Sequence, residues 1–345
     1  MATTRGFSGK EFRCFIGTQD ISAAPIGTAP SSASHLAPAN GFEFRLNGIN
    51  DIAFDAGYSV TELSRTGARI KRAEDVIQHY GSGMWTFDFD YTVDNKTVLH
   101  NLLNLIYPSN ANGADASGGF VLDANPTTDT MVHGSNGSLN TVASILIKNP
   151  NANESRLLHS AVLQNLTLSM DASVDSGVMK ATGQFMSGYK PTIGSSDIFD
   201  SAVTTSTSTK GLFDCTTQTV GGDAASVRAF TITINNPASR IGYQGTHMEA
   251  DGYVRGAEIT VEGSITIKAD DNAMNHLDTW QDNTLDRTFA IALNDGGTTL
   301  DISIPEASMK GHNLDLADEG VFVELPFTVT SGANGGANPL TLKTT

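Results

Sequence analysis

The sequence predicts an all-β protein, β-rich with one short helix per repeat, arranged as two tandem homologous β-sandwich or barrel domains. Three observations predict it. Apolar and polar residues alternate with period two along several runs, which is the signature of strands with one face on a core and one in water. Thirty-four glycines stand among Ser, Thr and Asn clusters, the punctuation of a turn-rich chain. Residues 42–188 and 228–332 pass through the same elements in the same order, and self-similarity at long period is the strongest guide to architecture. A chain of 345 residues is ample for two cores. Each domain is large enough to bury about two-thirds of its unfolded surface without disulfides or metal.

Residues 1–41 hold one short apolar strand candidate, Phe12–Ile16, and then a polar stretch with Pro25, Pro30 and Pro38. They read as an N-terminal arm that packs on something other than its own core. The first domain, 42–189, opens with alternating Phe42, Phe44 and Leu46. A long loop, 48–82, carries Arg65, Arg69, Lys71 and Arg72, and loops of such length are functional or disordered. Its counterpart at 236–256 is shorter, and the matching positions of the two loops in both repeats favour function. Trp85, Phe87, Phe89 and Tyr91 then alternate with Thr86, Asp88, Asp90 and Thr92, a half-buried strand. Asn95–Ile106 follows as a helix with Val98, Leu99, Leu102 and Leu103 on one side, suited to cover one face of the sheet. The Gly/Asn/Asp/Ser-rich stretch 108–140, around a strand candidate at Phe120–Leu122, reads as a surface insertion. An apolar strand with an Asn-led turn (ASILIKNPNANE, 143–154) and the phrase DSGVMKATGQFMSG (175–188) close the domain.

Residues 190–227, with a Thr/Ser run at 204–209, read as a linker. The second domain, 228–332, repeats the order. Phe230, Ile232 and Ile234 open it, and the loop 236–256 carries Glu249 and Asp251 beside Arg240 and Arg255. Ile259, Val261, Ile265 and Ile267 alternate with Thr260, Glu262, Ser264 and Thr266. A helix is expected over Asp271–Trp280, with Met274, Leu277 and Trp280 on one side, then the strand FAIALNDGG and the closing phrase DEGVFVELPFTVTSG (318–332). The tail 333–345 reads as polar and extended.

Composition narrows function. Lys+Arg number 21 against Asp+Glu 37, a net charge of −16; stable nucleic-acid binding needs a basic footprint instead. No run of 18 apolar residues exists and the N-terminus has no hydrophobic signal core, so neither membrane insertion nor standard secretion is expected. Cys14 and Cys215 fit no metal spacing and read as free structural thiols in a reducing cytosol.

Little in the chain suggests catalysis. The eight histidines are scattered without a ligand spacing, and His100 and His276 read as partly exposed helix residues. DASVDSG (171–177) has the alternation of a calcium loop, but its glycine is one position late and Thr182 stands where a bidentate Glu is required. An Asx turn accounts for it. No phosphate loop, dinucleotide fingerprint or nucleophile elbow is present. Asp88 and Asp90 share one strand face and read as solvated. No cofactor, metal or enzymatic activity is expected.

The phrases VLQNLTLSMDASVDSGVMKATGQFMSG (162–188), SVTELSRTGARI (59–70), SGMWTFDFDYT (82–92), and AFTITINN through GYVRGAEITVEGSITIKADD (229–271) resemble the major tail tube protein of long-tailed bacteriophages. About two-thirds of the chain carries the likeness. The resemblance implies a virion tail protein, assembled in the host bacterial cytoplasm, whose rings stack into a hollow tube conducting DNA during ejection. It implies as partners further copies of the chain and other tail proteins such as the tape measure, terminator and baseplate or tip, with viral DNA only in transit. The family's common form has six single-domain subunits per ring. An internally duplicated chain then implies a trimer with pseudo-sixfold symmetry. Asp88, Asp90 and Glu262 are the lumen-lining candidates on this reading. Arg65, Arg69, Lys71 and Arg72 are the candidates for ring-to-ring contact. Competing readings are another virion ring or decoration protein and a soluble β-sandwich binding module. The latter calls for an exposed aromatic platform, whereas Trp85 and Trp280 fall in apolar patterns.

Overall fold

The computed structural model describes residues 8–55, 58–62, 76–80, 84–106, 128–131, 142–150, 154–194, 198–199, 209–242, 249–255, 258–270, 290–295, 300–317, 320–330 and 340–344. The fold is all-β, with antiparallel pairing throughout and, among the described residues, a single α-helix, α1 (Lys96–Ile106).

A 13-stranded sheet organises the molecule. Its centre is the long strand Arg156–Asp171. The first part of that strand pairs with Val142–Lys148. Its second part pairs with Lys180–Ser187 on one edge and Val227–Asn235 on the other. From Lys180–Ser187 the sheet continues to Met84–Thr92. From Val227–Asn235 it continues through Thr260–Lys268 to Gly320–Val329, and ends at Ala307–Met309 and Asn313–Ala317. The two halves of the chain therefore share one uninterrupted sheet, joined where Ile232 lies opposite Leu168.

The same pairing scheme occurs in each half. Met84–Thr92 pairs with Lys180–Ser187 as Thr260–Lys268 pairs with Gly320–Val329. Val142–Lys148 pairs with Arg156–Asp171 as Ile291–Asn294 pairs with Leu300–Ile304. Arg13–Gln19 flanks Val142–Lys148 as Thr217–Val220 flanks Ile291–Asn294. One glycine–aromatic pair recurs with its partners exchanged: Gly183 lies opposite Phe89, and Gly263 opposite Phe327. A Cβ on Gly183 would come within 2.9 Å of the Phe89 ring, and one on Gly263 within 2.6 Å of Phe327. Each ring fills the space its glycine leaves.

Period-two alternation drives the layering. Phe87, Phe89 and Tyr91 are buried, as are Leu166, Leu168 and Met170, Phe230, Ile232 and Ile234, and Val323, Leu325 and Phe327. Beneath them α1 buries Val98, Leu99, Leu102, Leu103, Leu105 and Ile106. Asn95 caps the helix by accepting from Thr97 N at 2.9 Å. The Tyr91 hydroxyl accepts from Asn95 N at 3.0 Å and donates to Asp94 at 2.7 Å. Cap and hydroxyl together satisfy donors that a helix start leaves open. His100 is fully buried on this helix, not partly exposed.

Several segments differ from the sequence expectation. The N-terminal stretch is not an arm lying apart from its own core. Arg13–Gln19 is an interior strand between Leu36–Glu43 and Val142–Lys148, with Cys14, Phe15 and Ile16 buried. Phe42 pairs with Ile16, so 36–43 is not placed like 227–235. The loop 48–82 contains two paired strands, Tyr58–Glu62 and Val76–Tyr80. The insertion 108–140 contributes Thr128–Met131, which pairs with the tail strand Leu340–Thr344, itself paired with Leu300–Ile304. The linker 190–227 is docked: Ile198 and Phe199 pack on Phe15 and Leu36, and Thr217–Val220 is a strand of the second sheet. The strand candidate Phe120–Leu122 and the helix expected over Asp271–Trp280, with His276, lie outside the described residues.

Candidate assembly surfaces

The polar face of the large sheet is continuous from one half of the chain to the other. Asp90, Thr182, Thr167, Thr233, Glu262, Thr328 and Ser308 are successive cross-strand partners over seven strands. Every position in that row is polar. The next row runs Thr92, Lys180, Ser169, Thr231 and Ser264. At the seam between the halves the Thr167 and Thr233 hydroxyls are 2.8 Å apart.

The three acidic candidates lie on this face and are held in place. Gln184 Nε2 donates to Asp88 Oδ1 at 2.7 Å. Asn47 Nδ2 donates to Asp90 Oδ1 at 2.8 Å, and Thr92 Oγ1 donates in turn to Asn47. Lys310 Nζ pairs with Glu262, both half-exposed. Lys180 meets Asp175 at 2.9 Å, and that contact holds its ammonium above the ordinary lysine value. Strand geometry thus brings Asp90 and Glu262 into one row although they are far apart in sequence. Arg65, Arg69, Lys71 and Arg72 lie outside the described residues.

The junction of the halves is a built interface. Arg255 reaches from the second half to donate to Leu163 O at 2.8 Å and Leu105 O at 3.3 Å, and Asn236 Nδ2 donates to Ile106 O at 2.8 Å. Both cover the carbonyl end of α1, where positive charge and donors are favoured. Burial pulls the Arg255 guanidinium down to about 10. Nearby, the long strand kinks at Ser160, whose φ is 50°. Gln19 Oε1 accepts from Ser160 N at 3.0 Å, Gly27 N donates to Ser160 Oγ at 2.9 Å, and Tyr253 donates to Ser160 O at 2.8 Å. His159 stacks on Tyr189, and burial lowers its pKa against the opposing pull of Glu249.

Among the described residues, features of an enzyme site are sparse. A cavity of about 490 Å³ is lined by Phe12, Ile49, Asp51, Ile147, Arg156 and Ile193 among others. Its charged groups already have partners: Arg156 Nη1 lies 2.7 and 2.8 Å from the two Asp51 oxygens, and Glu154 accepts from Asn149 Nδ2 at 3.2 Å. Among the described residues no three His, Cys, Asp or Glu side chains gather as metal ligands would. Asp171 makes an Asx turn, accepting from Ser173 N and Oγ. Both cysteines are free. Burial raises the Cys14 thiol, and burial with the Asp214 and Asp295 charges pushes Cys215 up to about 12, so neither is an activated nucleophile. Among the described residues no helix is long and apolar enough to cross a membrane.

Sequence reading missed one surface. Leu314, Leu316 and Val321 are exposed at the last edge of the large sheet. The alternation Leu314–Asp315–Leu316, like Leu166–Thr167–Leu168 in the first half, is the signal that marks it.

No curated protein matches the chain. A family model described as phage tail tube protein matches residues 25–330, most of the sequence and both halves of the large sheet. The chain belongs to the phage tail tube protein family.

Proposed function

We propose that this tail protein polymerises as stacked rings, each a trimer with pseudo-sixfold symmetry, and that the stack is the hollow tube through which DNA leaves during ejection. The observation that carries the reading is the unbroken polar face shared by the two halves, with Asp88, Asp90 and Glu262 upon it. A closed sheet of many strands encloses an aqueous channel, and head-to-tail copies close into rings. The halves act as tandem homologous tube domains, 42–189 and 228–332, so three chains supply six. Each copy brings a charge of −16. An acidic lumen repels phosphates, so a duplex slides without sticking. Arg65, Arg69, Lys71 and Arg72 meet acidic groups of the adjoining ring. Tube assembly takes place in the host cytoplasm, with tape measure, terminator and baseplate or tip proteins as further partners.

The test is near-isosteric neutralisation of the lining, Asp88→Asn, Asp90→Asn and Glu262→Gln together, which retains an acceptor for Gln184 and Asn47. Particles carrying the triple variant should have tails of normal length and eject DNA severalfold more slowly. Ejection at the unmodified rate would remove the electrostatic role.

A further inference from the structure

The two halves are tied by a strand ladder and by a clamp beside it. The ladder between Arg156–Asp171 and Val227–Asn235 runs from Asp171 opposite Ala229 to Asn165 opposite Asn235. Such a pair does not by itself set one angle, since neighbouring strands rotate against each other by about 10° to 35°. The ladder stops where the long strand bulges. On its other edge Asn165 lies opposite Gln184 and Leu163 opposite Phe185, which leaves Gln164 over. A bulge bends its strand and adds twist. The second half takes hold at that point. Asn236 N donates to Gln164 O at 3.1 Å, and Ala238 N to Gln164 Oε1 at 2.9 Å. Arg255 reaches Leu163 O beside the bulge, and Arg255 and Asn236 together take the carbonyls of Leu105 and Ile106, the last two residues of α1.

Stability alone does not account for an arginine in this place. Arg255 is 8 % exposed. Among the described residues its buried Nε and Nη1 have no hydrogen-bond partner, and no carboxylate forms an ion pair with it. Burying a cation with no opposite charge is unfavourable, and replacing buried charge by a well-packed apolar side chain is often neutral or stabilising. What the planar, rigid guanidinium supplies is direction. Nη2 alone spans Leu105 O at 3.3 Å and Leu163 O at 2.8 Å, one carbonyl on α1 and the other on the sheet. Helix, sheet and second half are thereby held at one mutual angle. The arginine is not a feature that the repeats share. The glycine–aromatic pairs match Phe89 with Gly263, and counted back from there the first half has Gly81 where the second has Arg255.

We propose that Arg255 is a positioning residue, which with Asn236 sets the angle between the two halves at the value a closed ring requires. Head-to-tail copies close into a ring only when the rotation from one to the next is the right one, and otherwise run on. A second half free to twist about its ladder would vary that rotation from chain to chain. The purpose of the clamp rests on the ring reading above; the angle itself belongs to the single chain.

The test is Arg255→Met in the full chain. Nitroxide labels replace the exposed Val174 of the first half and Leu316 of the second, and pulsed electron resonance reads their separation in the unassembled chain. The unmodified chain should give one narrow distance. The variant should keep its circular dichroism and thermal midpoint, give a distance distribution severalfold wider, and form severalfold fewer closed rings, with arcs and mixed sizes in their place. A distribution as narrow as the unmodified chain's overturns the assignment whatever the rings do. A lowered thermal midpoint makes Arg255 an ordinary stabilising contact and overturns it too, as do closed rings in normal yield from the widened chain. A widened distribution in a protein that forms no rings even when unmodified keeps the positioning role and removes the ring reading.

Discussion

Single residues fix where the strands can go. Ser160 adopts a left-handed conformation in the middle of Arg156–Asp171, where the strand leaves one set of partners for another. Such a φ is unfavourable for a non-glycine residue. It persists because Gln19, Gly27 and Tyr253 bond to the Ser160 amide, hydroxyl and carbonyl. His159 sits beside this kink, 5 % exposed and with its pKa lowered first by burial. The unfolded chain then takes up a proton at higher pH than the folded one. The contribution of His159 to stability is present above its ordinary value of 6.5 and is lost as pH falls from there toward the lowered value. Urea midpoints should therefore decline between pH 7.5 and 5, and His159→Phe should flatten that decline. An equal decline in the variant would place the titration elsewhere.

At the scale of elements, the hairpin within 48–82 is the clearest candidate for a part that reaches beyond its own sheet. Among the described residues Tyr58–Glu62 and Val76–Tyr80 pair only with each other, and the basic cluster lies between them in sequence. Replacing Arg65, Arg69, Lys71 and Arg72 by Glu should give rings that fail to stack into rods under the electron microscope; rods of normal length would remove the cluster from the ring-to-ring contact. The strands whose alternation is plain, Trp85–Tyr91, Phe230–Ile234 and Val261–Ile267, were legible in the sequence, as was α1 from its one-sided apolar stripe. Arg13–Gln19 was not placed correctly, since its burial comes from neighbours more than a hundred residues away in Val142–Lys148. The tail was misjudged for the same reason. Leu340 and Leu342 are fully buried only because Leu300–Ile304 and Thr128–Met131 flank them. Periodicity reports which face of a strand is wet; it does not report which edge is covered. That is why the polar face carrying Asp88, Asp90 and Glu262 was legible and the apolar edge at Leu314 was not.

At the scale of the whole molecule, the halves are joined by sheet hydrogen bonds, by side chains seated on the end of α1, and by the Ser160–Tyr253 contact. Three such chains are proposed to close one ring. Mass photometry of assembled rings, released from one another in dilute solution, tests this most directly. A species of three copies is expected, forming hollow rings by negative-stain microscopy. Rings of six copies would contradict the trimer, and a chain that stays monomeric at every concentration would contradict ring formation itself.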